Sequence, residues 1–172
     1  KQTIAQKIIA GFANSEKHTD NIFQENTSGR PRMRTRAVVK VQDGCDQFCS
    51  YCIVPHARSR MQSRPIEDVI AELRVLAGFG YKEIVLTGIR LGSYKSKDAF
   101  CIQQAQSERS CQSNLPELIR AVASVGEIER IRLSSIEPWE VDDALLDAMK
   151  SANACRHLHI PLQSGDDDTL AR

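Results

Sequence analysis

Apolar positions change their period along the chain in a regular order. Ala37–Gln42 is a strand-like run and predicts a first strand. From Pro65 the spacing becomes helical, with Ile66, Val69, Ile70, Leu73, Leu76 and Ala77 on one stripe. Pro65 suits a first helical turn because that turn needs no backbone N–H there. Glu67 and Asp68 complement the positive end of the helix, and Gly78 and Gly80 stop it. The buried-type run Ile84-Val85-Leu86 makes Glu83–Thr87 a second strand. A long polar loop follows, from about Arg90 to Ser113. Asn114 with Glu117 three residues on has the form of a capping box for a second helix, roughly Leu115–Val125. Glu129–Ser134 reads as a third strand. Asp142–Ser151 reads as a third helix with Leu145, Leu146 and Met149 as its apolar face. His157–Leu162 alternates as a fourth strand: Leu158, Ile160 and Leu162 face one way, and His157, His159 and then Gln163 face the other. A fourth helix begins near Asp166–Asp168. Upstream, Ile4, Ile8, Ile9 and Phe12 predict a short helix over residues 1–13, and the polar stretch 14–33 reads as a linker.

Strands alternating with helices imply βαβ units and a parallel sheet, so the expected fold class is α/β. Four such strands do not close a barrel. In barrel-like α/β folds the functional residues gather at the C-terminal ends of the strands. Here a cysteine loop follows strand one, Thr87-Gly88 follows strand two, Ser134-Ser135 closes strand three, and Gln163-Ser164-Gly165 follows strand four. All four fall on one rim.

Composition narrows this picture only a little. The 172 residues suffice for one domain with a sizeable core, and 41% apolar with 26% charged residues is ordinary for a globular protein. A net charge of +1 does not announce a nucleic-acid partner. The distribution is more telling: Arg30, Arg32, Arg34 and Arg36 precede the cysteine loop, and Arg58, Arg60 and Arg64 follow it. Such clusters either grip phosphates or form a solvated face. No apolar run approaches the length of a bilayer span, so no membrane partner is expected. Six cysteines without a secretory signal suggest a reducing, cytoplasmic setting and metal ligation. A chain that opens on Lys1 and stops inside a helix is expected to be an excerpt of a longer protein.

The candidate chemistry lies in Gly44-Cys45-Asp46-Gln47-Phe48-Cys49-Ser50-Tyr51-Cys52. Cys45, Cys49 and Cys52 are separated by three and then two residues. Three thiolates hold three corners of a [4Fe–4S] cube and leave the fourth iron open to a substrate or cofactor. Zinc is an alternative with His56 as a fourth ligand, and a disulfide or a chance cluster of buried cysteines are others. Cys101, Cys111 and Cys155 match no common site and read as unpaired thiols.

The C-x3-C-x2-C loop after a first strand resembles that of the radical S-adenosylmethionine (SAM) enzymes. Further stretches resemble the methylthiotransferases within that superfamily: Cys52-Ile53-Val54-Pro55, Glu83–Ile89, Arg130–Pro138 and His157–Gly165. Thr87-Gly88-Ile89-Arg90-Leu91-Gly92 and Leu133–Pro138 are most similar to the MtaB type. The resemblance covers about residues 34–172 and implies a partial (βα) radical SAM barrel, about four of six βα units, incomplete at the C-terminus. Residues 1–33 are then an interdomain helix and linker. It further implies methylthio transfer to carbon two of threonylcarbamoyladenosine beside the tRNA anticodon. Methylthiolation of another tRNA adenosine or of a ribosomal protein stays open, as does a non-catalytic zinc or redox module. The implied cofactors are a [4Fe–4S] cluster on Cys45, Cys49 and Cys52, SAM on its open iron, and a second [4Fe–4S] cluster in an N-terminal domain. The implied partners are tRNA and an electron donor such as a flavodoxin or ferredoxin. Two features depart from the pattern: the loop around Ala99–Ser113 is long, and Arg90 stands where a smaller or less basic polar residue is expected.

Cofactor or substrate contacts are expected along the rim, some from the resemblance and some from the alternation of strand four. Thr87 and Gly88 form a turn near the SAM amino group, since glycine permits close backbone approach. Ser134, Ser135 and Glu137 bond SAM or substrate hydroxyls, although Glu137 also suits a purely local role before Pro138. His159 and Gln163 lie on the lumen-facing side of strand four. Lys40 and Gln42 of strand one raise the same question. Phe48 and Tyr51 either shield the cluster or pack in the core.

Overall fold

The computed structural model describes residues 35–96 and 113–171. The expected helix over 1–13, the linker with Arg30, Arg32 and Arg34, and Cys101 and Cys111 lie outside the described residues. The elements are β1 (Arg36–Asp43), α1 (Val54–Ala57), β2 (Gln62–Ser63), α2 (Ile66–Gly78), β3 (Glu83–Gly88), β4 (Lys95–Ser96), β5 (Ser113–Asn114), α3 (Leu115–Ala123), β6 (Arg130–Leu133), α4 (Asp143–Ser151) and α5 (Asp167–Leu170). Single 3-10 turns occupy Leu91–Ser93 and Pro138–Glu140.

The main sheet runs β2-β1-β3-β6. β1 pairs parallel with β3, and β3 pairs parallel with β6. Ala37 stands opposite Ile84 and Val39 opposite Leu86; Ile84 and Leu86 stand opposite Ile131 and Leu133. This register puts Val39, Val41, Ile84, Leu86, Ile131 and Leu133 into one core with Val69 and Leu73 of α2, Leu118 and Val122 of α3, and Leu145 of α4. The helices therefore cover one face of the sheet. Val38 and Lys40 point the other way and are exposed. The result is a mixed α/β fold with a curled, parallel half-barrel sheet. At the N-terminal end of the strands, Glu83 ties three of them together by pairing with Arg36 at 3.7 Å, Arg130 at 3.6 Å and Arg132 at 3.4 Å.

Three features differ from the expectations above. His157–Leu162 forms no regular ladder; its one bridge is parallel, from His159 to Ser135 beyond β6, and a second isolated parallel bridge joins Ala154, upstream of it, to Ile131 of β6. Pro161 has no N–H to offer a ladder. The His157 N–H turns back to the Cys155 carbonyl at 2.7 Å, and Gln163 leaves extended geometry at φ 66°. The parallel direction survives, but Ile160 and Leu162 are exposed instead of packed. Second, the supposed polar loop after Arg90 contributes Leu91 and Tyr94 to the core. Three residues apart, they share a face of the 3-10 turn. The Tyr94 hydroxyl is satisfied by donating to the Arg64 carbonyl at 2.6 Å. Beyond it β4 pairs antiparallel with β5. Third, β2 returns antiparallel to β1, with Gln42 opposite Ser63 and Asp43 opposite Gln62. The cysteine loop is thus an excursion between two paired strands.

The capping box forms as the sequence predicts. Asn114 Oδ1 accepts from the Glu117 N–H at 3.1 Å, and Glu117 Oε2 accepts from the Asn114 N–H at 2.7 Å. Asn114→Ala is expected to lower stability by about 1 kcal/mol, seen as a lower urea midpoint at unchanged slope.

Candidate functional site

The cysteine loop begins where β1 ends. Gly44 turns the chain at φ 79°, a left-handed conformation. A Cβ at Gly44 would overlap the Arg60 carbonyl, because the return segment of the loop crosses there. The Cys45 N–H donates to the Arg58 carbonyl at 3.1 Å. Asp43 closes the base of the loop: Lys40 pairs with it at 2.7 Å, Arg58 at 3.0 Å, and the Gly44 N–H donates to it at 2.9 Å. Partial burial works to raise the Asp43 carboxyl, but these partners outweigh it and hold the group below its ordinary value. The closure therefore contributes at neutral pH and fades as acid protonates Asp43. Arg64 pairs with Glu72 at 2.5 Å and donates to the Lys40 carbonyl. Arg58 and Arg64 are thus engaged within the fold.

Gln42 carries little weight in the sequence and is central here. It is buried, and its amide donates to the Asp43 carbonyl at 2.9 Å and the Gly44 carbonyl at 2.8 Å. Its Oε1 accepts from the Arg90 N–H at 2.8 Å. A Cβ at Gly88 would stand 2.9 Å from Gln42 Cβ, so glycine there lets β3 end against this side chain. Nothing in the local pattern marks a lone glutamine as such a link.

All three thiols line one open cavity of about 780 Å³. Cys45 and Cys52 are half-buried and Cys49 is exposed. Cys45 Sγ accepts from the Gln47 N–H at 3.4 Å. Among the described residues no three His, Cys, Asp or Glu side chains converge as ligands of a single ion. The thiols instead surround a space, and a set of three soft donors around a space suits an iron–sulfur cluster. His56 packs edge-on against Phe48, ring centres 5.5 Å apart, and does not line the cavity. Phe48 and Tyr51 are each 70% exposed, so core packing is not their role.

The opposite wall comes from the ends of β3 and β6 and the segment after them. Ile89 and Arg90, Glu137 and Trp139, Gln163 and Ser164, and Thr169 and Leu170 of α5 all line the cavity. Of the contacts expected from sequence, Glu137 and Gln163 are on this wall. Thr87, Gly88, Ser134, Ser135 and His159 stand at the adjoining strand ends without lining it. The Ser134 hydroxyl is buried without a partner, and the His159 carbonyl accepts from the Ile136 N–H at 3.0 Å. Glu137 Oε2 is likewise buried without a partner. The Tyr51 hydroxyl donates to Gln163 Oε1, so the cysteine loop touches the far wall directly. Desolvation, followed by the negative charges of Cys49, Cys52 and Glu137, pushes the Tyr51 phenol above its ordinary range. Trp139 is absent from the sequence-based candidates; its place directly after Glu137-Pro138 was the available signal. Cys155 lies away from the cavity, its N–H bonded to the Ile131 carbonyl.

Arg90 joins the two walls. Its Nη1 donates to Asp46 Oδ1 at 2.6 Å, and its Nε donates to Glu140 Oε1 at 2.6 Å. Burial works to lower its basicity, but Glu140 and Asp46 prevail and raise it further.

A family model described as the radical SAM superfamily matches residues 39–172. The chain belongs to the radical SAM superfamily. Membership implies SAM and a [4Fe–4S] cluster as cofactors. Among curated proteins this superfamily member is 41% identical over 81% of its length to the threonylcarbamoyladenosine tRNA methylthiotransferase MtaB of Chlamydia pneumoniae, covering 30% of that protein. It is 39% identical over 77% of its length to the tRNA-2-methylthio-N(6)-dimethylallyladenosine synthase of Syntrophus aciditrophicus, covering 27% of it. The chain therefore spans under a third of the length of these relatives. Its radical SAM fold is also that of the methyltransferase TsrM from Kitasatospora setae, solved with tryptophan and a SAM analogue. The TM-score is 0.57 at 17% identity, covering 78% of this chain and 23% of that one. Among the described residues no helix is long and apolar enough to cross a membrane.

Proposed function

We propose that this chain is the cluster- and SAM-binding core of a tRNA methylthiotransferase acting on carbon two of threonylcarbamoyladenosine. One observation carries the reading. Cys45, Cys49 and Cys52 line a single cavity with Glu137 and Gln163 at the C-terminal rim of a radical SAM sheet. The choice of adenosine is supported by the Chlamydia pneumoniae relative and by the MtaB-like stretches.

Cys45, Cys49 and Cys52 would hold the cluster through their thiolates. The cluster with SAM supplies one-electron chemistry able to activate an inert C–H bond. The chain's own residues bind and orient. Glu137 caps the turn that follows it through its side chain, and its Oε2, which has no partner, accepts from an amino or hydroxyl group of SAM. Tyr51 occupies the oxygen of the Gln163 amide, which leaves the amide N–H groups to donate to a carboxylate. Thr87, Gly88, Ser134, Ser135 and His159 shape the rim behind this wall. Tyr51, Trp139 and Ile89 supply apolar and aromatic surface to the walls of this space. A second cluster upstream, tRNA, and a flavodoxin or ferredoxin complete the proposed system in a cytoplasmic setting.

The test is nucleoside mass spectrometry of tRNA treated with reduced full-length enzyme. A methylthio gain on threonylcarbamoyladenosine is expected. The Syntrophus aciditrophicus relative favours a second reading, dimethylallyladenosine as the target. A gain on that nucleoside alone would transfer the assignment to it.

A further inference from the structure

One guanidinium bridges the cysteine loop and the wall facing it. Asp46 follows the first cysteine directly, and Glu140 closes the turn that carries Glu137 and Trp139. Both carboxylates bond Arg90 at 2.6 Å, through different nitrogens. The Arg90 side chain is 16% exposed and that of Glu140 is 8% exposed, so this arm is shielded from water and weakly screened. Asp46 is 58% exposed, so the other arm is the softer one. The neighbourhood is built for the contact. A Cβ at Gly92 would overlap the Glu140 carboxylate, so glycine lets that carboxylate lie against the turn after β3. The Arg90 N–H is held by Gln42, whose amide also holds the Asp43 and Gly44 carbonyls at the start of the cysteine loop. Ser93 Oγ donates to the Arg90 carbonyl at 2.7 Å. The backbone and both faces of the guanidinium fork are therefore fixed.

We propose that Arg90 is a positioning residue that sets the distance between the cysteine loop and the Glu137–Trp139 wall, and with it the fit of SAM over the cluster. This rests on the radical SAM reading of the cavity. The planar fork reaches two carboxylates at once in fixed directions, which a lysine ammonium on a flexible stem does not reproduce. Arg90 is also the only cation bonded to Asp46 and Glu140 among the described residues. Its loss leaves two negative charges beside the cluster and makes the cluster harder to reduce.

The test compares full-length wild type, Arg90→Lys and Arg90→Gln after anaerobic reconstitution. Iron and sulfide content, the electron paramagnetic resonance spectrum of the reduced cluster, and its titration with SAM are measured. Wild-type iron content is expected in both variants. SAM titration is expected to move to concentrations on the order of ten- to a hundredfold higher, with Arg90→Lys no better than midway to wild type. If Arg90→Gln does not fold, Asp46→Asn carries the test by cutting only the exposed arm, and a several-fold weakening is expected. Unchanged titration and spectrum in the variants, beside a wild type that binds SAM, overturn the Arg90 assignment alone. Full recovery by lysine shows that charge suffices and overturns the bridging role. A wild type that takes up no cluster or SAM overturns both this inference and the reading beneath it.

Discussion

Cys49→Ala in the full-length enzyme is expected to reduce 5′-deoxyadenosine formation from SAM under dithionite to background, and to strip iron and sulfide from this site. The reason is a count of donors. The loop supplies three thiolates around one cavity, and His56, the nearest alternative ligand in sequence, faces Phe48 instead. Removing one thiolate leaves two donors for a cube that uses three to keep a single iron open. Cys49 is the most informative of the three because it is exposed and its side chain supports no core packing. The loss therefore reports ligation and not unfolding. Cys45→Ala and Cys52→Ala should give the same result. Stoichiometric zinc without sulfide in the wild type, or 5′-deoxyadenosine above background in Cys49→Ala, would sink the cluster assignment.

Gly44→Ala should damage the same site from its base. The φ of 79° costs a residue with a Cβ about 1–2 kcal/mol. The added methyl also meets the Arg60 backbone carbonyl, which moves only if the return of the loop towards β2 moves. With typical overpacking costs the total is roughly 2–5 kcal/mol. The Cys45–Arg58 backbone bond lies one residue away, so the loop should loosen before the sheet does. Urea unfolding measures the global loss, and iron content after reconstitution measures the local one. A variant with wild-type midpoint and full iron content would contradict the closure of the loop by Gly44.

Much was legible because it is local. Asn114 and Glu117 announce the start of α3 because a capping box is made within four residues. The stripe from Ile66 to Ala77 announces α2 because a helix buries one face at a fixed period. The fourth strand failed for the converse reason. Alternation from His157 to Gln163 describes a strand only where a neighbour supplies a ladder, and Pro161 and the turned Gln163 interrupt one. Leu91 and Tyr94 were hidden in a polar run because two buried residues in a single 3-10 turn make too short a pattern to read.

The sequence by itself determined the proposed donor set, Cys45, Cys49 and Cys52, and the strand ends that share one rim. Ligand spacing and βα alternation are properties of nearby residues, and a chain writes them in order. Only the tertiary structure decided which rim residues face the thiols. Glu137 and Gln163 do, while Thr87, Gly88, Ser134, Ser135 and His159 stand beside the cavity. It also decided that Gln42 and Arg90 tie the cysteine loop to its surroundings. The bonds made by Arg90 join residues some 44 to 50 positions apart. Contacts of that range depend on the register of β1 against β3 and on the turn after β6, and no local pattern of side chains encodes either.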